Sequence, residues 1–119
     1  MPNLTADGRV YARYDTDVLA TLTCPGLRFA VRMLSVSAGG ALIRLDRLSN
    51  KVFEEEAFTF EIHGISPLNA HKKWRRDTDI GVKFDLYDHE RLRLGERLAE
   101  RFGTLPPATL RLATSTPLA

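Results

Sequence analysis

The sequence predicts an all-β domain with one C-terminal helix, folded as a six-stranded antiparallel barrel. Three observations carry that expectation. Six short runs alternate apolar and polar residues with a period of two, the mark of half-buried strands. Turn signals separate them, Pro25-Gly26 and Ser37-Ala38-Gly39-Gly40 being the clearest. After the last run the period changes to that of one amphipathic helix. Closing such short strands into a barrel removes the exposed edges that an open sheet would leave.

Taken in order, residues 1–16 are polar and turn-rich, without a core pattern, and read as a flexible N-terminal leader. Residues 17–103 hold the barrel and its helix. Val18, Ala20, Leu22 and Cys24 share one face of the first strand. Leu27, Phe29, Val31 and Met33 oppose Arg28 and Arg32 in the second, so Pro25-Gly26 joins a hairpin. Ala41, Ile43 and Leu45 make the inner face of the third strand, and Phe58, Phe60 and Ile62 that of the fourth. Residues 69–75 are a less regular strand, with Ala70, Lys72 and Trp74 on one side. Ile80, Val82, Phe84 and Leu86 make the cleanest strand. Asp88 is positioned to cap a helix over residues 89–102, with Leu92, Gly95, Leu98, Ala99 and Phe102 on its stripe. Gly103 stops it, ahead of Pro106 and Pro107. Residues 104–119, rich in Thr, Pro and Leu, read as a disordered tail.

At 119 residues the chain has the length of one domain. Its net charge of +2 is too small for bulk nucleic-acid binding, so any anion site is local and made by a few arginines. One cysteine, Cys24, excludes an intrachain disulfide and reads as a buried structural thiol. No stretch approaches the ~20 apolar residues of a membrane span, and the expectation is a cytoplasmic protein. His63, His71 and His89 are scattered, without metal-ligand spacing, so no metal and no cofactor are expected. Nothing resembles a catalytic triad or a P-loop, and an enzyme is the least favoured class. Among the other polar residues, Glu54-Glu55-Glu56 reads as a solvated loop and Asp77 and Asp79 as turn chemistry. Lys72, Lys73, Arg75 and Arg76 read as a solvated strand face. Trp74 reads as packing.

Two features stand outside what folding needs. Arg9 and Arg13 form an R-x-x-x-R pair in the leader. Two planar guanidinium forks can grip phosphate or guanine edges bidentately. The segment Ser35-Val36-Ser37-Ala38-Gly39-Gly40 follows two strands later. Its hydroxyls and bare backbone amides can approach the same ligand. Together they point to a small, doubly charged, purine-bearing molecule.

Arg9 and Arg13, followed by Ser37-x-x-Gly40, resemble the signature of PilZ domains, bacterial receptors for cyclic dimeric GMP. The segment ending in Trp74 and the strand Ile80-Gly81-Val82-Lys83-Phe84 agree with that family, as does the single helix after them. The resemblance implies a six-stranded PilZ-like barrel with a C-terminal helix. It implies that Arg9 and Arg13 contact phosphates and guanine edges, with Ser35, Ser37 and Gly40 forming the turn against a guanine. Ser35 departs from the family's Asp or Asn, and a single hydroxyl matches guanine's donor edge less well than a carboxylate. The expected function is a cyclic di-GMP receptor and adaptor that orders its arginine leader on binding and signals to an unidentified effector protein. The ligand is expected as one molecule or a stacked dimer. The alternative is a degenerate PilZ-like interaction module that does not bind nucleotide. A barrel for single-stranded nucleic acid is disfavoured, because no strand carries a row of aromatics.

Overall fold

The computed structural model describes residues 11–103. Arg9 and residues 104–119, with the disordered tail expected there, lie outside the described residues. Six strands close into an antiparallel barrel: β1 (Tyr14–Cys24), β2 (Leu27–Val36), β3 (Gly40–Arg44), β4 (Ala57–Ile62), β5 (Leu68–Arg76) and β6 (Asp79–Phe84). Their order around the barrel is β1-β2-β3-β6-β5-β4, and β1 pairs with β4 to close it. Two helices complete the fold, α1 (Arg47–Val52) and α2 (Asp88–Phe102).

The alternation read from the sequence is the wall of this barrel. Leu22, Met33, Ile43, Phe60, Ile80 and Phe84 are fully buried, each contributed by the inward face of a strand. Burying a side chain of this size contributes roughly 1.5–3 kcal/mol. Phe60 stacks on Phe84 across the interior, at 5.8 Å between ring centroids. Cys24 joins this core, and burial pushes its thiol pKa up. On the outside, exposed ion pairs link neighbouring strands, Arg44 to Asp79 at 2.7 Å and Arg32 to Asp17 at 2.9 Å. Asp79 therefore belongs to a strand ion pair, whereas Asp77 takes the left-handed conformation of the β5–β6 turn, with φ 56°.

Both ends of the barrel are stoppered. At one end lie the start of β1 and the ends of β2, β4 and β6. There α2 inserts Leu94 and Leu98 into the core. Leu92, expected on that stripe, is 66% exposed, and Ala99 is exposed too. The buried stripe is Leu94 and Leu98, continued by the partly buried Phe102, a four-residue step that follows one face of the helix. The N-cap of α2 is Tyr87, one residue before the expected Asp88. Its backbone N–H donates to Glu90 Oε1 at 2.9 Å. Gly103 ends the helix as expected, donating its N–H to Ala99 O at 2.8 Å.

The other end is closed by α1 and Phe53, a helix the alternation did not predict. Asp46 caps it, accepting from the Ser49 N–H at 2.7 Å. Phe53 follows it into the core, edge-on to Phe29 and Phe58 at 5.8 and 5.6 Å. Arg75, from β5, donates to the Phe53 carbonyl at 2.7 Å and to the Asn50 carbonyl at 2.6 Å, and also reaches Asn50 Oδ1. It thereby satisfies carbonyls that the end of a helix leaves open.

Candidate functional site

Three departures from regular pairing shape the outer surface near the α2 end. Strand β1 begins at Tyr14, four residues before the expected Val18, and its register shifts between Asp15 and Val18. Strand β2 runs on to Val36, with a shift between Met33 and Ser35 where it pairs with β3. In β5 the register slips between Lys72 and Trp74, leaving Lys73 as the extra residue against β6. Each irregularity breaks the strict inward–outward alternation and re-aims the side chains that follow it.

The consequence in β5 is direct. Ala70 and Trp74, expected on one side, are separated: Ala70 is buried, but Trp74 is turned outward and is 45% exposed. Its indole lies on Gly81 of β6, where a Cβ would overlap the ring. The basic run splits in the same way. Lys72 pairs with Glu56 at 3.0 Å, Arg75 caps α1, and Lys73 faces the same outer groove as Trp74.

That groove encloses about 660 Å³, well within the range of small-ligand sites. Four of the five expected site residues line it: Arg13, Ser35, Ser37 and Gly40. The fifth, Arg9, lies outside the described residues. Tyr11, Lys73, Trp74, Lys83, Asp88 and Arg91 complete the polar and aromatic part of the lining. Lysine and arginine outnumber the single carboxylate, so the groove favours an anion.

The turn between β2 and β3 is held by its own backbone and one hydroxyl. The Ser37 N–H donates to the Gly40 carbonyl at 2.8 Å. Ser37 Oγ accepts from the Gly39 N–H at 3.1 Å. Gly40 has no alternative, because a Cβ there would strike the Val82 carbonyl of the neighbouring strand. Among the described residues Ser35 is the one buried polar residue, 5% exposed. Arg13 Nη2 donates to its hydroxyl at 3.4 Å, a long bond that draws the guanidinium towards the groove floor. Ser35 is thus in contact with Arg13 and is not an open hydroxyl on the surface.

Reading by periodicity did not single out Lys83 or Arg91 and took Lys73 as part of a solvated basic strand face; Trp74, read as packing, does pack on Gly81 but also lines the groove. Arg91 carries no sequence signal, since it is one of four arginines in α2. Its guanidinium reaches the Leu86 carbonyl at 3.1 Å, the Phe84 carbonyl at 3.3 Å and the Ala38 carbonyl at 3.4 Å. No group of three or more His, Cys, Asp or Glu that could hold a metal occurs among the described residues. No helix among them is long and apolar enough to cross a membrane.

Comparison with known proteins bears on this arrangement. The family model described as PilZ domain matches residues 7–101. No curated protein matches the chain. Among solved structures, the chain is similar to the crystal structure of the Legionella uncharacterized protein Lpg0364, with a TM-score of 0.56 at 15% identity. That likeness covers 76% of this chain and 94% of the other, and it concerns the fold alone.

Proposed function

The chain belongs to the PilZ domain family, non-enzymatic binding modules known as cyclic di-GMP receptors, and on that premise we propose that it binds cyclic dimeric GMP in the groove between the Ser/Gly turn and Trp74. One observation carries the reading. Arg13 is more than twenty positions from the Ser35–Gly40 turn in sequence, yet both line one basic groove. In this reading Arg13 and Arg9 grip phosphate oxygens or guanine edges with bidentate forks. Ser37 and Gly40 present the turn to a guanine. Lys73 and Lys83 add positive charge for the two phosphates, and the half-exposed indole of Trp74 offers a base a stacking face. Nucleotide tightens the segment carrying the two arginines over the groove. The changed surface is then read by a partner protein. The ligand enters as one molecule or as a stacked pair.

The second reading is an interaction module that docks on its partner without nucleotide. Ser35 favours it, since its single hydroxyl is already engaged by Arg13. Calorimetric titration with cyclic dimeric GMP, with GTP and cyclic GMP as controls, separates the two. Selective binding of the cyclic dinucleotide supports the receptor. A flat titration at high micromolar ligand leaves the docking module. Amide exchange over residues 4–15 reports the mechanism, and exchange there slows when ligand is bound. Unchanged exchange at saturation sinks the clamp even where binding is real.

A further inference from the structure

Tyr11 sits between the two arginines of the leader motif, at a position the R-x-x-x-R pattern leaves open. Its ring rests against the Ser/Gly turn, with Cδ2 3.4 Å from where a Cβ on Gly39 would stand. The Arg91 guanidinium lies over the same ring, 5.9 Å from its centroid. Tyr11 is half-buried and takes no part in the hydrophobic core, yet it lines the groove. A ring recruited only for packing would be covered by apolar neighbours. This one is backed by a glycine and a cation.

Arg91 is well held for that task. The three carbonyls it reaches belong to the turn, the end of β6 and the segment leading into α2. A guanidinium anchored at this many points keeps its plane, and the attraction between cation and ring keeps Tyr11 in place. Tyr11 lines the groove alongside Arg91, which puts its ring within reach of a ligand held there.

We propose that Tyr11, held in place by Arg91, is a purine-stacking residue of the groove, making the leader contribute an aromatic face as well as its arginines. The inference rests on the nucleotide reading given above. Stacking rewards any planar base, so Tyr11 adds affinity for the purine part of the ligand, and the arginines supply recognition of its edges and phosphates. Arg91 is a positioning residue, acting on the ligand through the ring it holds.

The test is calorimetric titration of the full chain with cyclic dimeric GMP, comparing wild type, Tyr11→Phe, Tyr11→Leu, Arg91→Lys and the Tyr11→Leu/Arg91→Lys double variant. Thermal melting of each free protein verifies folding. Tyr11→Leu, which keeps bulk and loses the ring, is expected to bind roughly five- to a hundred-fold more weakly, the range for loss of one base–aromatic stack. Tyr11→Phe recovers most of that loss. Arg91→Lys weakens binding in the wild-type background but not once Tyr11 is Leu, because the two residues act as one unit. Where Arg91→Lys melts early, Arg91→Gln, which keeps amide donors towards the carbonyls, takes its place. A Tyr11→Leu variant that binds like wild type overturns the stacking role, as does a Tyr11→Phe variant as weak as Tyr11→Leu. Additive losses in the double variant overturn the role of Arg91. A wild type that does not bind removes the nucleotide reading itself, and this inference with it.

Discussion

Single side chains at the groove carry the sharpest consequences. Arg13→Ala or Arg9→Ala is expected to lose roughly 1–3 kcal/mol of cyclic dinucleotide affinity, the range for a bidentate contact. Arg→Lys at either position restores only part of it, since an ammonium keeps the charge without the planar fork. Arg28→Ala is the contrast. It is paired only loosely with Glu61 at 3.5 Å and lines no part of the groove, so binding is expected to stay normal. Ser35→Asp places a carboxylate next to Arg13, with a spare oxygen for guanine's donor edge. Binding is expected to tighten by about 1 kcal/mol, a charged hydrogen bond less its desolvation. Equal or weaker titration by a folded Ser35→Asp variant refutes that placement. Gly40→Ala tests the fold at the same turn. Its methyl meets the rigid Val82 carbonyl, so a loss of roughly 1–3 kcal/mol in denaturant stability is expected from overpacking.

At the level of elements, β5 shows what one extra residue does. The slip at Lys73 turns Trp74 away from the side it shares with Ala70 in strict alternation and out to the groove. The indole is then seated only because Gly81 lacks a side chain. Gly81→Ala therefore displaces Trp74. Its fluorescence is expected to shift and lose any quenching by ligand, while the barrel still melts cooperatively. An unmoved emission spectrum argues that the ring has room to spare. The other informative element is α1, whose last carbonyls are held by Arg75. Arg75→Ala removes those bonds together and is expected to cost about 2 kcal/mol, as for hydrogen bonds to a charged group. Urea denaturation measures it. No change in midpoint would mean that water replaces the guanidinium without cost.

For the whole molecule, the outer ion pairs give stability a definite pH dependence. Arg32 lowers the pKa of Asp17, and Arg44 lowers that of Asp79. The Ser49 N–H does the same for Asp46 at the start of α1. A depressed folded-state pKa contributes stability that is present above the unfolded aspartate value, near 3.9. That contribution is lost as pH falls through the folded-state values. The denaturation midpoint is therefore expected to hold steady from neutral pH to about 5 and to fall below about 4. Asp79→Asn shallows that fall, since it removes one of the titrating groups. An identical acid slope in wild type and Asp79→Asn shows that this pair contributes nothing. High salt reduces the effect of all three, because each is exposed.

The sequence alone determined the barrel, because alternation of Ala20, Leu22, Phe29, Val31, Phe58, Phe60, Ile80 and Val82 can be satisfied only by strands sharing one interior. It also determined the Pro25-Gly26 hairpin, the C-terminal helix and the family, since these are written in local residue types at fixed spacing. Tertiary structure decided the rest. Leu92 and Leu94 are equally apolar in the sequence, and only docking on the barrel chose Leu94 for burial. Helix α1 was too short for a period to show and is made by Asp46 at one end and Arg75, from a distant strand, at the other. The groove itself joins residues from the leader, four strands, a turn and α2. Trp74 faces it because β5 slips one residue against β6. That slip is set by how β5 and β6 pair across their short hairpin, and the alternation of β5 alone does not encode it.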